Sequence, residues 1–104
     1  QGVGQALLEK TVYSADGQLL SGSFMDYCMP RADDLPPLDF SNVVIPCKNN
    51  PRGIKGCGEA GSVAAPAAIV NAVVDALAND GINHIDMPAT PQSIWQTIQN
   101  AQTS

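Results

Sequence analysis

Between Pro66 and Asn79 the only polar residues are Asn71, Asp75 and Asn79, each four positions apart. This spacing predicts a helix, and at about 100° per residue its polar stripe is only about 80° wide. Every other position there is Ala, Val, Ile, Leu or Pro. So much apolar surface has to be withdrawn from water. A chain of 104 residues holds one small domain with one modest core. Either the helix lies at the centre of a tightly packed domain, or the surface that covers it lies outside this chain. The second reading is favoured, because the other segments are too short to wrap it.

Those segments are legible one by one. Gln1–Lys10 suits a short helix with Val3, Ala6 and Leu7 on one side. No capping residue precedes it, as expected of a chain cut or processed from a longer one. Thr11–Ser14 and Gln18–Phe24 flank Asp16-Gly17, a hairpin signal, since a type I′ turn needs positive φ at both central residues. Residues 30–37 carry three prolines and are irregular. Phe40–Ile45 reads as a strand closed by Pro46, and Cys47–Gly61 as a loop. Gly81 ends the apolar helix, Ile82–Ile85 is a short strand, and Thr90-Pro91 starts a last helix with Ile94, Trp95 and Ile98 as its apolar face. The expected fold class is therefore α+β, one domain over residues 1–104: a β-hairpin plus short strands packed with a buried helix and a C-terminal helix.

Charge and cysteine usage exclude several functions. The net charge is −5, and five cations (Lys10, Arg31, Lys48, Arg52, Lys55) face ten acids, which argues against nucleic acid. No apolar run reaches the roughly eighteen residues a membrane helix needs. Cys28, Cys47 and Cys57 are odd in number and lack C-x-x-C spacing. They suit a reducing cytoplasm, and neither a disulfide framework nor zinc or iron–sulfur ligation by this chain alone. His84 has no second ligand nearby and reads as structural, so no metal ligand is assigned.

Gly56-Cys57-Gly58-Glu59-Ala60-Gly61 fits G-x-G-x-x-G before a helix, but the dinucleotide context fails. The preceding strand stops at Pro46, and Glu59 would repel a pyrophosphate. The longer string, Asn50 through Gly61, resembles the NPxGxKGxGEAG pattern of the xanthine dehydrogenase, aldehyde oxidase and carbon monoxide dehydrogenase large chains, the molybdenum hydroxylases. Gln1–Leu7 is similar to their QGxGxAL helix, Ser21–Pro36 to GSFMDYxxPRADDLP, and Asp86–Trp95 to DMPxTPxxxW. Arg52 and Cys57 stand where apolar residues are common in that family.

This resemblance implies the C-terminal fragment of a much longer large subunit. The parent would oxidise an aldehyde or N-heteroaromatic carbon with water as oxygen source. Its cofactor would be molybdenum on molybdopterin, in the cytosine dinucleotide form. Glu59 maps onto the family's general base, which takes a proton from the metal-bound hydroxyl. Gly56, Cys57 and Gly58 would lie against the cofactor, with Gln1 and Gly2 near the pterin. Partners would be the rest of the large subunit, iron–sulfur and FAD subunits or domains, and a small-molecule substrate. The isolated chain is expected to bind no cofactor, to be inactive and to self-associate. The rival reading is a non-enzymatic module derived from the family, either a stand-alone interaction module or a subunit-docking one, its apolar helix serving as the partner surface.

Overall fold

Helix α1, Gly2–Leu7, is six residues long, and the rest of the chain is arranged around it. The computed structural model describes residues 1–103. The small residues Gly2, Gly4 and Ala6 are buried in α1; of the expected apolar face, Ala6 is thus buried, whereas Val3 and Leu7 are only half-buried. Each small residue lets a different segment come close. A methyl group on Gly2 would strike Ala65 and, at 2.5 Å, the Gly61 carbonyl oxygen. One on Gly4 would lie 2.7 Å from the Pro30 ring. Ala6 is fully buried, and its carbonyl accepts the Ala89 N–H at 2.7 Å.

The hairpin survives only as a turn. Ser14 N–H donates to the Gln18 carbonyl at 2.9 Å, and Gly17 N–H to Ser14 at 3.0 Å. Gly17 has φ 81°, and no non-glycine residue among those described has positive φ. The loop is therefore Ala15-Asp16-Gly17, a turn closed by a left-handed glycine, rather than the two-residue type I′ turn. Pairing stops at one antiparallel bridge, Tyr13–Leu19. Beyond it the Ser21 hydroxyl takes the Val12 N–H at 2.9 Å, so a side chain replaces the next rung. A turn closed by Ser23 and Asp26, with Oγ donating to the carboxylate at 2.7 Å, then leads the chain away.

The α+β expectation is thus corrected. Among the described residues there is no sheet, and both Phe40–Ile45 and Ile82–Ile85 are coil. A strand needs a partner for its backbone groups, and among the described residues neither segment has a backbone ladder with another. Ile82 and Ile85 are buried nonetheless.

The helical expectations fare better. A four-residue helix, α2 (Ala60–Val63), leads through Ala64 into α3 (Ala65–Ala76). A 3₁₀ turn (Ala78–Asp80) follows, and Gly81 ends it in the left-handed region at φ 76°. Helix α4 runs from Pro91 to Gln102, with the Thr90 hydroxyl accepting the Ser93 N–H at 3.2 Å. But α3 is not buried as expected. Only Pro66 is buried, while Val70, Val73, Val74 and Leu77 are half-buried. Helix α1 covers one end of it, and residues 84–87 flank an apolar groove beside it.

The molecule is correspondingly open. Its radius of gyration is 17.9 Å, against about 13 Å for a compact domain of this length. No helix among the described residues is long and apolar enough to cross a membrane.

Candidate functional site

Residues 47–61 form two parts, a locked turn and an open run of glycines. In the turn, the Asn50 side chain bonds the backbone of Ile54 twice, its Nδ2 donating to the carbonyl at 2.9 Å and its Oδ1 accepting the N–H at 3.0 Å. Cys47 N–H donates to the Gly53 carbonyl at 3.0 Å. Gly53 needs to be glycine, because its φ is 65° and a Cβ would lie 2.9 Å from that of Pro46. Pro51 fits at such a turn because its φ is already fixed. The sequence reading singled out these glycines but missed the Asn50 clamp. An Asn followed by Pro and then Gly is the signal that such a turn gives.

Past the clamp the restraints end. Gly56 and Gly58 have no positive φ, and a Cβ on either would meet nothing within 4 Å. Neither dihedral strain nor crowding within this chain requires glycine there. Cys57 is an exposed free thiol, and its carbonyl accepts the Ala60 N–H at 3.3 Å.

Glu59 is the N-cap residue of α2. Its carbonyl accepts Ser62 N–H at 2.9 Å and the Ser62 hydroxyl at 3.1 Å. Its side chain makes no capping bond, is exposed, and has no ion pair or hydrogen bond among the described residues. A helix-terminal carboxylate serving stability would be expected to accept from the free N–H groups of the first turn. This one does not, so the carboxylate is left available.

Gln1 lies beside this loop, as a Cβ on Gly61 would stand 2.7 Å from Gln1 Oε1. Gly2 packs on the α2–α3 junction. The fold therefore joins the head of the chain to the glycine loop, two stretches about sixty residues apart in sequence. It does not bring the cations of the turn into ion pairs, since Lys48, Arg52 and Lys55 have none among the described residues. His84 is exposed and pairs with Asp86 at 3.0 Å. Asp34 accepts Arg31 N–H at 2.7 Å and closes an exposed turn. The apolar groove between α3 and residues 84–87, lined by Val63, Pro66, Val70 and Met87, does not include Glu59.

The other end of α1 carries a second contact. Burial first, then the charge of Glu9, then a hydrogen bond to its carboxylate hold the half-buried Tyr27 phenol above its usual range. This contact ties the Ser21–Pro36 stretch to α1.

Known proteins resemble this chain. The molybdopterin cofactor-binding domain family matches residues 1–36. Over 100 residues the chain is 44% identical to the 6-hydroxypseudooxynicotine dehydrogenase complex subunit gamma of Paenarthrobacter nicotinovorans, covering 95% of this chain and 12% of that one. It is 40% identical over 94 residues to the nicotine 6-hydroxylase large subunit of the same organism, covering 90% of this chain and 12% of the relative. The crystal structure of quinoline 2-oxidoreductase from Pseudomonas putida 86 overlays with a TM-score of 0.86 at 41% identity, over 95% of this chain and 13% of that one. This chain thus spans about an eighth of the length of the relatives it matches. With sequence and backbone agreeing over nearly its whole length, the chain belongs to the large-subunit family of the molybdenum hydroxylases.

Proposed function

We propose that this chain is the C-terminal part of a molybdenum hydroxylase large subunit, whose complete enzyme hydroxylates an N-heteroaromatic carbon with water as oxygen source. The observation that carries the reading is Glu59, an unpartnered carboxylate on a loop whose neighbouring glycines have open space at their Cβ positions. An aldehyde carbon is the neighbouring substrate class. The ring carbon is favoured by similarity to proteins named for quinoline and nicotine.

The residues present fit a large cofactor approaching from outside the chain, because Gly56 and Gly58 are glycine for no reason internal to it. Backbone at Gly56, Cys57 and Gly58 is assigned to that contact. Molybdenum on a molybdopterin, in the cytosine dinucleotide form, supplies the two-electron oxidation when bound. Glu59 takes the proton from the oxygen nucleophile, which requires a carboxylate oxygen within about 3 Å of it. The Asn50 clamp and the Ser62 bonds hold the two ends of the loop, so that the carboxylate is presented from fixed backbone. A ring nitrogen makes the attacked carbon electron-poor.

Electrons leave through iron–sulfur and FAD subunits or domains. Relatives named as a complex subunit and a large subunit support such an assembly. Three free cysteines suit the cytoplasm. The isolated chain, one loop of the site, is inactive.

The test is Glu59→Gln in the complete enzyme. Molybdenum content stays at the wild-type level and turnover falls roughly 10²–10⁴-fold, the range for losing a general base. Full activity in the variant would demote Glu59 to a surface carboxylate.

A further inference from the structure

We propose that residues 38–45 are an arm held in a cleft of the remainder of the large subunit with both of its sides covered, an inference that rests on the large-subunit reading above. Leu38, Phe40, Val43, Val44 and Ile45 are 74, 89, 87, 75 and 65% exposed. Residues 36–46 contain no turn, bend or helix and make no hydrogen bond among the described residues. A continuous run of large apolar side chains is unfavourable in water, and the backbone beside them is left free to pair with whatever covers them. Pro36, Pro37 and Pro46 bracket the arm and stiffen its ends.

The order of residues says how the arm is covered. Held extended in such a cleft, the arm would point successive side chains to opposite sides, with Leu38, Phe40 and Val44 on one side and Val43 and Ile45 on the other. Contact with a flat surface would hide only one of these sets. Near Val43–Ile45 both need cover, and a cleft provides it.

The occupant of the far side is the same polypeptide. Matched relatives are about eight times longer than this chain. The backbone overlays on part of the quinoline 2-oxidoreductase chain over 95% of its length, so this open course is one found where the rest of a large subunit is present.

Hydroxyl-radical labelling of the complete large subunit, read residue by residue against the denatured chain, tests this. Val43 and Val44 are both labelled roughly tenfold less or better in the large subunit alone, as for positions that open only by local unfolding. Strong labelling of either one overturns the two-sided cleft. Protection that appears only with partner subunits, or only as concentration rises, assigns the cover to another subunit or a second copy and overturns the proposal. A reading frame holding no longer chain removes the large-subunit reading and this proposal together. A long frame with a labelled arm removes this proposal alone.

Discussion

One side-chain contact fixes the turn before the proposed base without touching its carboxylate, and another secures the far side of α1. Asn50 bonds Ile54 in both directions and so sets where the backbone leaves the turn, five residues before Glu59. Tyr27, at the other end of α1, answers to Glu9. Its phenol titrates at about 10 in the unfolded chain and higher in the folded one. A raised folded value means that the contact's stability is complete below pH 10 and is lost as pH rises through the folded value. In the complete subunit, Tyr27→Phe therefore removes part of the alkaline loss of thermal stability seen in wild type. Melting curves between pH 8 and about 11 check this, and parallel alkaline profiles for the two proteins would contradict it.

Among the elements, the glycines divide into two groups that the sequence does not distinguish. Gly2, Gly4 and Gly61 are packed, and a Cβ on any of them strikes another segment. Gly56 and Gly58 are open. Gly2→Ala therefore costs about 1–3 kcal/mol of overpacking and lowers the melting temperature of the complete subunit. Gly56→Ala leaves the melting temperature of the cofactor-free protein unchanged and lowers molybdenum content. Identical behaviour of the two variants would mean that the open glycines have no outside neighbour. The helices were legible because their signals are local. Thr90-Pro91 caps α4 and Gly81 takes its left-handed turn, and two or three adjacent residues signal each. The hairpin register was not, because Asp16-Gly17 is compatible with both a two-residue and a three-residue loop, and Ser21 decided against further rungs. The Gln1–Gly61 contact is tertiary, and no local pattern announces it.

At the scale of the molecule, the accessible surface is 8396 Å², against roughly 5,500 Å² for a compact domain of this mass. The excess is far more than the roughly 800 Å² that one partner contributes to a standard interface. It is spread over Phe24, Met25, residues 38–45 and Val63 rather than confined to α3. The nearly all-apolar helix signalled in the sequence that cover was missing. The full extent of the missing surface was not legible, since strands at Phe40–Ile45 and Ile82–Ile85 were expected to supply some of it. The proposed site follows the same pattern, for Glu59 and its glycines stand in one continuous string, while under the proposal most of the walls come from the rest of the large subunit. Molybdenum analysis of residues 1–104 beside the complete large subunit tests that claim most directly. Close to one molybdenum per complete subunit and none in the isolated chain is the expected result. Near-stoichiometric metal in the isolated chain, or none in the complete subunit, would contradict it.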